Sequence, residues 1–179
     1  MKLTEPFNDI APTLIFTYGN PSRGDDGLGP AMFELLENNK QTGHDLDKVD
    51  LLTDYQLQIE HAVDLDQREC VLFIDASVSA AAPYEFHQLQ PERDNSYTTH
   101  AMSPVAVLAV YQQINQRKPP PSYMLSIRGY EFGLGQALTE QAKTNLQQAY
   151  EFIKQLLATD TVQWPEIRVG RKLPGRSFP

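Results

Sequence analysis

Two adjacent acids, Asp25 and Asp26, lie in the turn Gly19-Asn20-Pro21-Ser22-Arg23-Gly24-Asp25-Asp26-Gly27-Leu28-Gly29. A third, Asp75, closes the apolar run Cys70-Val71-Leu72-Phe73-Ile74, and His100 stands shortly before Ser103-Pro104. Two carboxylates and one imidazole make an open O,O,N ligand set. That set suits a borderline divalent ion such as nickel or zinc and leaves positions for substrate or water. The ligand types do not separate those two metals. Each residue also has a plainer reading. Asp25 and Asp26 fit a helix cap that favours the helix dipole, Asp75 a loop-bonding carboxylate, and His100 an exposed or hydrogen-bonded histidine. The glycines of the turn permit close backbone approach, which also suits a phosphate cradle at a helix N-terminus. Neither the dinucleotide fingerprint nor the phosphate-loop pattern is present, and two adjacent carboxylates repel a phosphate.

The elements around these residues alternate between strand and helix. Thr13-Leu14-Ile15-Phe16-Thr17-Tyr18 reads as a buried strand ending at Gly19-Asn20-Pro21. Leu28, Met32, Leu35 and Leu36 follow at helical spacing. Val49 to Leu52 reads as a second strand, Gln56 to Leu65 as a helix, and Cys70 to Ile74 as a central strand stopped by Asp75. Tyr84 to Leu89 alternates like an edge strand. Ser103 caps a helix over Val105 to Ile114, with Pro104 at its first position. Tyr123 to Ile127 is a further strand, and Leu138 to Leu157 a long amphipathic helix with Thr139 as N-cap. This alternation predicts an α/β fold, a mainly parallel sheet with helices on both faces. Ligands in such sheets bind outside the carboxyl ends of the strands, where the turn at 19–26, Asp75 and the His100 loop all fall.

The 179 residues fit one domain, expected over 1–160, followed by a basic, proline-containing tail over 161–179 that carries Arg168, Arg171, Lys172 and Arg176. A formal net charge of -8 and the lack of a basic stripe argue against nucleic-acid binding. No stretch approaches the roughly 20 apolar residues of a membrane span, and no signal peptide is evident. The single cysteine, Cys70, precludes an internal disulfide, which suggests the cytoplasm. Cys70 lies inside an apolar strand, a setting that disfavours a ligand or nucleophile. His44, His61 and His87 lie in stretches without supporting acids of this kind.

Taken in order, these motifs resemble the hydrogenase maturation endopeptidases. Gly19-Asn20 and then Gly24-Asp25-Asp26-Gly27-Leu28-Gly29 fit the first signature of that family, Ile74-Asp75-Ala76 the second, and Thr99-His100-Ala101-Met102-Ser103-Pro104 the third. Tyr55-Gln56-Leu57-Gln58-Ile59-Glu60 and Ile127-Arg128-Gly129-Tyr130-Glu131-Phe132-Gly133 resemble members associated with soluble hydrogenases. The resemblance runs from about residue 13 to residue 158. It implies a three-layer fold with a twisted sheet of about five strands. It also implies an endopeptidase that removes the C-terminal extension of a nickel-loaded hydrogenase large-subunit precursor. Nickel would arrive with the substrate, with no permanent cofactor, and would be met by Asp26, Asp75 and His100. The bond would be activated by the metal as a Lewis acid, or by Asp25 or Asp26 as general base. Asn20 is a candidate for binding carbonyls, and Gln56 and Tyr130 for setting specificity around the crevice. Two departures stand out: Thr17-Tyr18-Gly19-Asn20 replaces the Gly-x-Gly-Asn of many members, and Asp26 stands where some carry glutamate. The rival readings are a non-enzymatic nickel-binding chaperone of the large subunit, a phosphorylase- or nucleosidase-like hydrolase, and a structural interaction module.

Overall fold

The computed structural model describes residues 10–42, 46–92 and 102–167. Five strands form one sheet in the order β2-β1-β3-β5-β4. They are β1 (Thr13–Tyr18), β2 (Val49–Asp54), β3 (Cys70–Ser77), β4 (Tyr84–Leu89) and β5 (Ser122–Arg128). All pairs are parallel except β4 with β5. Three α-helices cover the sheet: α1 (Leu28–Thr42), α2 (Pro104–Asn115) and α3 (Glu140–Leu157). The expected α/β, three-layer architecture with five strands is the one observed.

Alternation along the strands divides the core in two. Ile15, Leu72, Ile74, Leu125 and Ile127 point to the face covered by α1 and α3. Leu14, Phe16, Val71 and Phe73 point to the face covered by α2 and the 3-10 helix Ile59–Leu65. The central strands β1 and β3 are apolar on both sides because both sides are covered. From β1 the chain crosses through α1 to β2, then back over β1 to β3. The handedness of parallel crossovers puts those two connections on opposite faces. The strand order therefore reverses between β1 and β3, and a crevice opens at their carboxyl ends.

The helix stops and starts follow local chemistry. Ser103 Oγ accepts from the Ala106 N–H at 3.3 Å, and Thr139 Oγ1 from the Ala142 N–H at 3.2 Å. Three expectations need correction. The stretch Gln56 to Leu65 is no α-helix: it bends at Tyr55 and Gln56, then forms the 3-10 helix Ile59–Leu65. That shorter crossover is held by a capping box between Gln58 and His61. Strand β3 does not stop at Asp75 but runs on to Ser77, because β5 keeps pairing with it to Arg128. The domain does not end at 160. A 3-10 helix, Thr161–Glu166, folds back and buries Trp164 to 1% exposure. The Trp164 Nε1–H donates to the carbonyls of Leu156 and Thr159, and its ring packs on Tyr123. The basic residues Arg168, Arg171, Lys172 and Arg176 lie outside the described residues. No helix among the described residues is long and apolar enough to cross a membrane.

Candidate functional site at the carboxyl end of the sheet

Strand β1 ends at Tyr18, and Gly19 turns the chain. Its φ of 141° and a hypothetical Cβ 2.1 Å from the Asp26 carbonyl oxygen leave room for glycine alone. Asn20 then folds the turn on itself. Its Oδ1 accepts from the Ser22 N–H at 2.9 Å and its carbonyl from the Arg23 N–H at 3.1 Å. The Asn20 N–H donates to Asp26 Oδ2 at 3.0 Å, which aims the Asp26 carboxylate back toward the end of β1. Asn20 is thus a builder of the turn. Its side-chain oxygen is engaged, and only its amide nitrogen lacks a partner among the described residues.

Asp25 and Asp26 are neighbours in a 3-10 turn, Gly24–Gly27, and have opposite surroundings. Asp25 is fully buried. It receives the N–H groups of Tyr130 at 2.7 Å, Glu131 at 3.1 Å and Thr139 at 2.7 Å, and the Thr139 hydroxyl at 2.9 Å. Burial pushes its pKa up, but these four donors outweigh it and hold the carboxyl below its ordinary value. Gly129 comes so close that a Cβ there would sit 2.9 Å from the Asp25 Cβ. The Asp25 N–H donates in turn to the Glu131 carbonyl at 2.7 Å, and the Gly24 N–H to the Gln136 carbonyl at 3.0 Å. Asp25 therefore staples the 129–139 loop and the start of α3 to the first turn. A carboxylate so engaged cannot serve as general base, and it caps α3 through Thr139 rather than its own helix.

Asp75 lies on β3 next to the strand switch and is half-buried. Among the described residues its carboxylate accepts only the adjacent Ala76 N–H, on Oδ1 at 2.7 Å. Burial raises its pKa to about 7, the Ala76 N–H opposes that rise, and the nearby charge of Asp26 adds to it. The Asp26 charge thus lies within electrostatic range of Asp75. Such a pair, one member short of donors, attracts a cation, and a cation in turn favours the ionised form. Among the described residues no cluster of three metal-ligating side chains occurs. His100, the third expected ligand, lies outside the described residues. Two residues beyond it, the Met102 N–H donates to the Leu57 carbonyl at 3.0 Å, so the chain enters α2 beside the turn that follows β2.

Gln56 is exposed in that turn, two residues past Asp54 at the carboxyl end of β2. Here the structure also shows a pairing that linear distance concealed. His61 Nε2 lies 3.2 Å from Asp54 Oδ2, and its Nδ1 accepts from the Gln58 N–H at 2.9 Å. The proton is therefore on Nε2, and both nitrogens are occupied in holding the turn. This acid and histidine stand seven positions apart, a spacing no metal or triad motif marks. Burial pushes the Cys70 thiol up to about 12, in keeping with a cysteine inert at the sheet centre. Thr17, which replaces a glycine of the resemblance, is buried and hydrogen-bonds Thr53 Oγ1 through its hydroxyl at 3.0 Å.

No family model matches the chain. No curated protein matches it either. Solved structures do. The [NiFe] hydrogenase maturation protease HycI of Thermococcus kodakarensis KOD1 superposes with a TM-score of 0.62 at 20% identity, over 86% of this chain and 96% of that one. The hydrogenase maturating endopeptidase HybD of E. coli gives 0.60 at 21% identity, over 82% and 91%. HybD of Thermococcus kodakarensis, also a [NiFe] hydrogenase maturation protease, gives 0.61 at 20%, over 81% and 98%. Nearly the whole of each of those proteins is covered, so the chain has the complete fold of the hydrogenase maturation proteases.

Proposed function

We propose that this protein is an endopeptidase of hydrogenase maturation, one that removes a C-terminal extension from a nickel-loaded large-subunit precursor. The observation that carries the reading is the placement of two acids, Asp26 in the turn after β1 and Asp75 on the adjacent β3, at the strand switch of a fold shared with maturation proteases. Nickel belongs to the substrate in this reading. Asp26 and Asp75 supply two oxygen ligands, and His100 is proposed as the nitrogen ligand. Hard and borderline donors of this kind suit nickel. The Asn20 N–H orients Asp26, and the Ala76 N–H orients Asp75. With Asp25 withdrawn into its four hydrogen bonds, a water beside the scissile carbonyl would be activated by Asp26 or by the substrate's own metal.

The test is the intact mass of a nickel-loaded precursor after incubation with the protein, beside a nickel-free precursor. Loss of a C-terminal peptide from the loaded form alone is expected. Asp26→Ala and His100→Ala should abolish or strongly slow it, and normal trimming by His100→Ala would remove that histidine from the site. Unchanged mass with stable complex formation would instead favour a non-enzymatic nickel-binding chaperone.

A further inference from the structure

The register of the sheet gathers one side chain from each strand into a single row at the crevice. Tyr18 pairs with Asp54, Asp75 with Ser126, and Ser126 with Glu85. The β1–β3 register ends at Thr17 opposite Ile74, and its next step sets Tyr18 beside Asp75. Alternation fixes the face. Two residues earlier, Phe16 and Phe73 lie with ring centroids 6.2 Å apart in the cluster under α2, where Leu52 and Met124 also pack. Asp54, Tyr18, Asp75, Ser126 and Glu85 therefore share that face, with neighbours about 5 Å apart.

The row has occupied ends and an open middle. Asp54 binds His61 at 3.2 Å and accepts the Tyr55 N–H at 2.6 Å, while Glu85 accepts the Ala81 N–H at 3.0 Å. The Tyr18 and Ser126 hydroxyls have no hydrogen-bond partner among the described residues. Both residues are partly exposed at this end of the sheet. They stand on either side of Asp75.

We propose that Tyr18 and Ser126 are substrate-contact residues, whose hydroxyls donate hydrogen bonds to backbone carbonyls of the peptide segment presented to Asp75. The proposal rests on the peptidase reading above. An extended peptide laid across the strand ends offers carbonyls along one edge at intervals of about 7 Å. A long phenol on one side of Asp75 and a short hydroxyl on the other span such a segment. A phenol of ordinary acidity is protonated at neutral pH and so is a donor. The flanking carboxylates disfavour an anionic ligand and leave the neutral amide carbonyl as the acceptor.

The experiment compares Tyr18→Phe and Ser126→Ala with the unaltered protein in steady-state trimming of nickel-loaded precursor, with thermal midpoints measured alongside. Loss of one neutral hydrogen bond to bound substrate should raise KM about three- to tenfold for each variant. Turnover and thermal midpoint should stay close to those of the unaltered protein. Unchanged KM in both variants would overturn the proposal. So would a fall in activity that tracks a lowered midpoint, since that marks a packing role. If the unaltered protein trims nothing, the peptidase reading fails separately. Calorimetric affinity of the precursor for the three proteins then tests the row by itself, and equal affinities would overturn it.

Discussion

Asp25 and Asp75 are the same side chain in two environments at one end of one sheet. Asp25 lies in a closed nest between the first turn and the 129–139 loop, with four donors directed at it. Asp75 lies at the strand switch with one donor among the described residues, its own neighbour's N–H, and the charge of Asp26 within range. The first has its pKa lowered and the second raised to about 7. For Asp25 four donors outweigh burial, whereas for Asp75 burial prevails over that single donor. A saturated carboxylate holds the fold. An unsaturated one beside a like charge stores unfavourable energy that a cation relieves, which is how binding sites differ from structural ones.

That contrast predicts opposite responses to amidation and to pH. The largest effect is expected for Asp75→Asn. The native pKa of Asp75, about 7, lies above its unfolded value, so its stabilising contribution is complete below about pH 4 and is lost as pH rises through 7. The metal-free variant should therefore exceed the unaltered protein in stability at pH 8 by up to about 4 kcal/mol, and the gap should close near pH 4. Urea titrations at the two pH values decide this, and no gap at pH 8 would end the contrast.

Asp25→Asn should act the other way. An amide turns a donor toward donors, and at neutral pH the loss should be about 3 kcal/mol. Because the native pKa of Asp25 is lowered, its contribution is present above the unfolded value and vanishes as pH falls through the native one. The destabilisation should shrink accordingly in acid. A smaller loss, about 1–2 kcal/mol, is expected for Thr139→Val, which removes both the α3 cap and one Asp25 bond. Combined with Asp25→Asn it should be less than additive, which a double-mutant cycle measures. The smallest effect belongs to Gln56→Ala in the exposed turn, within about 0.5 kcal/mol in stability. Any consequence there should appear in precursor affinity alone.

Much of the fold was legible because its signals are local. The runs of β1 and β3 are apolar on both faces, and Ser103 and Thr139 cap the helices that follow them. The position of Asp26 in the turn between β1 and α1 was legible as well, since Gly19-Asn20-Pro21 marks the end of the strand. The 3-10 crossover at Ile59–Leu65 and the return of Trp164 were not, because tertiary packing set them against weak local preference. Nor was Trp164 readable as core, because its partners Tyr123 and Phe86 stand far off along the chain.

The two acids of the first turn mark the division most clearly. Local pattern determined that Asp25 and Asp26 would stand between a strand and a helix, at the end of the sheet where ligands bind. It held no sign that Asp25 would meet Thr139, 114 residues away. Nor did it show that Asp54 would meet His61, or that Tyr18 and Ser126 would flank Asp75. Those pairings depend on strand order and register, and register is set by the packing of the whole sheet between its helices. Composition and periodicity decide which residues can form a site; only the folded sheet decides which of its carboxylates is filled and which is left open.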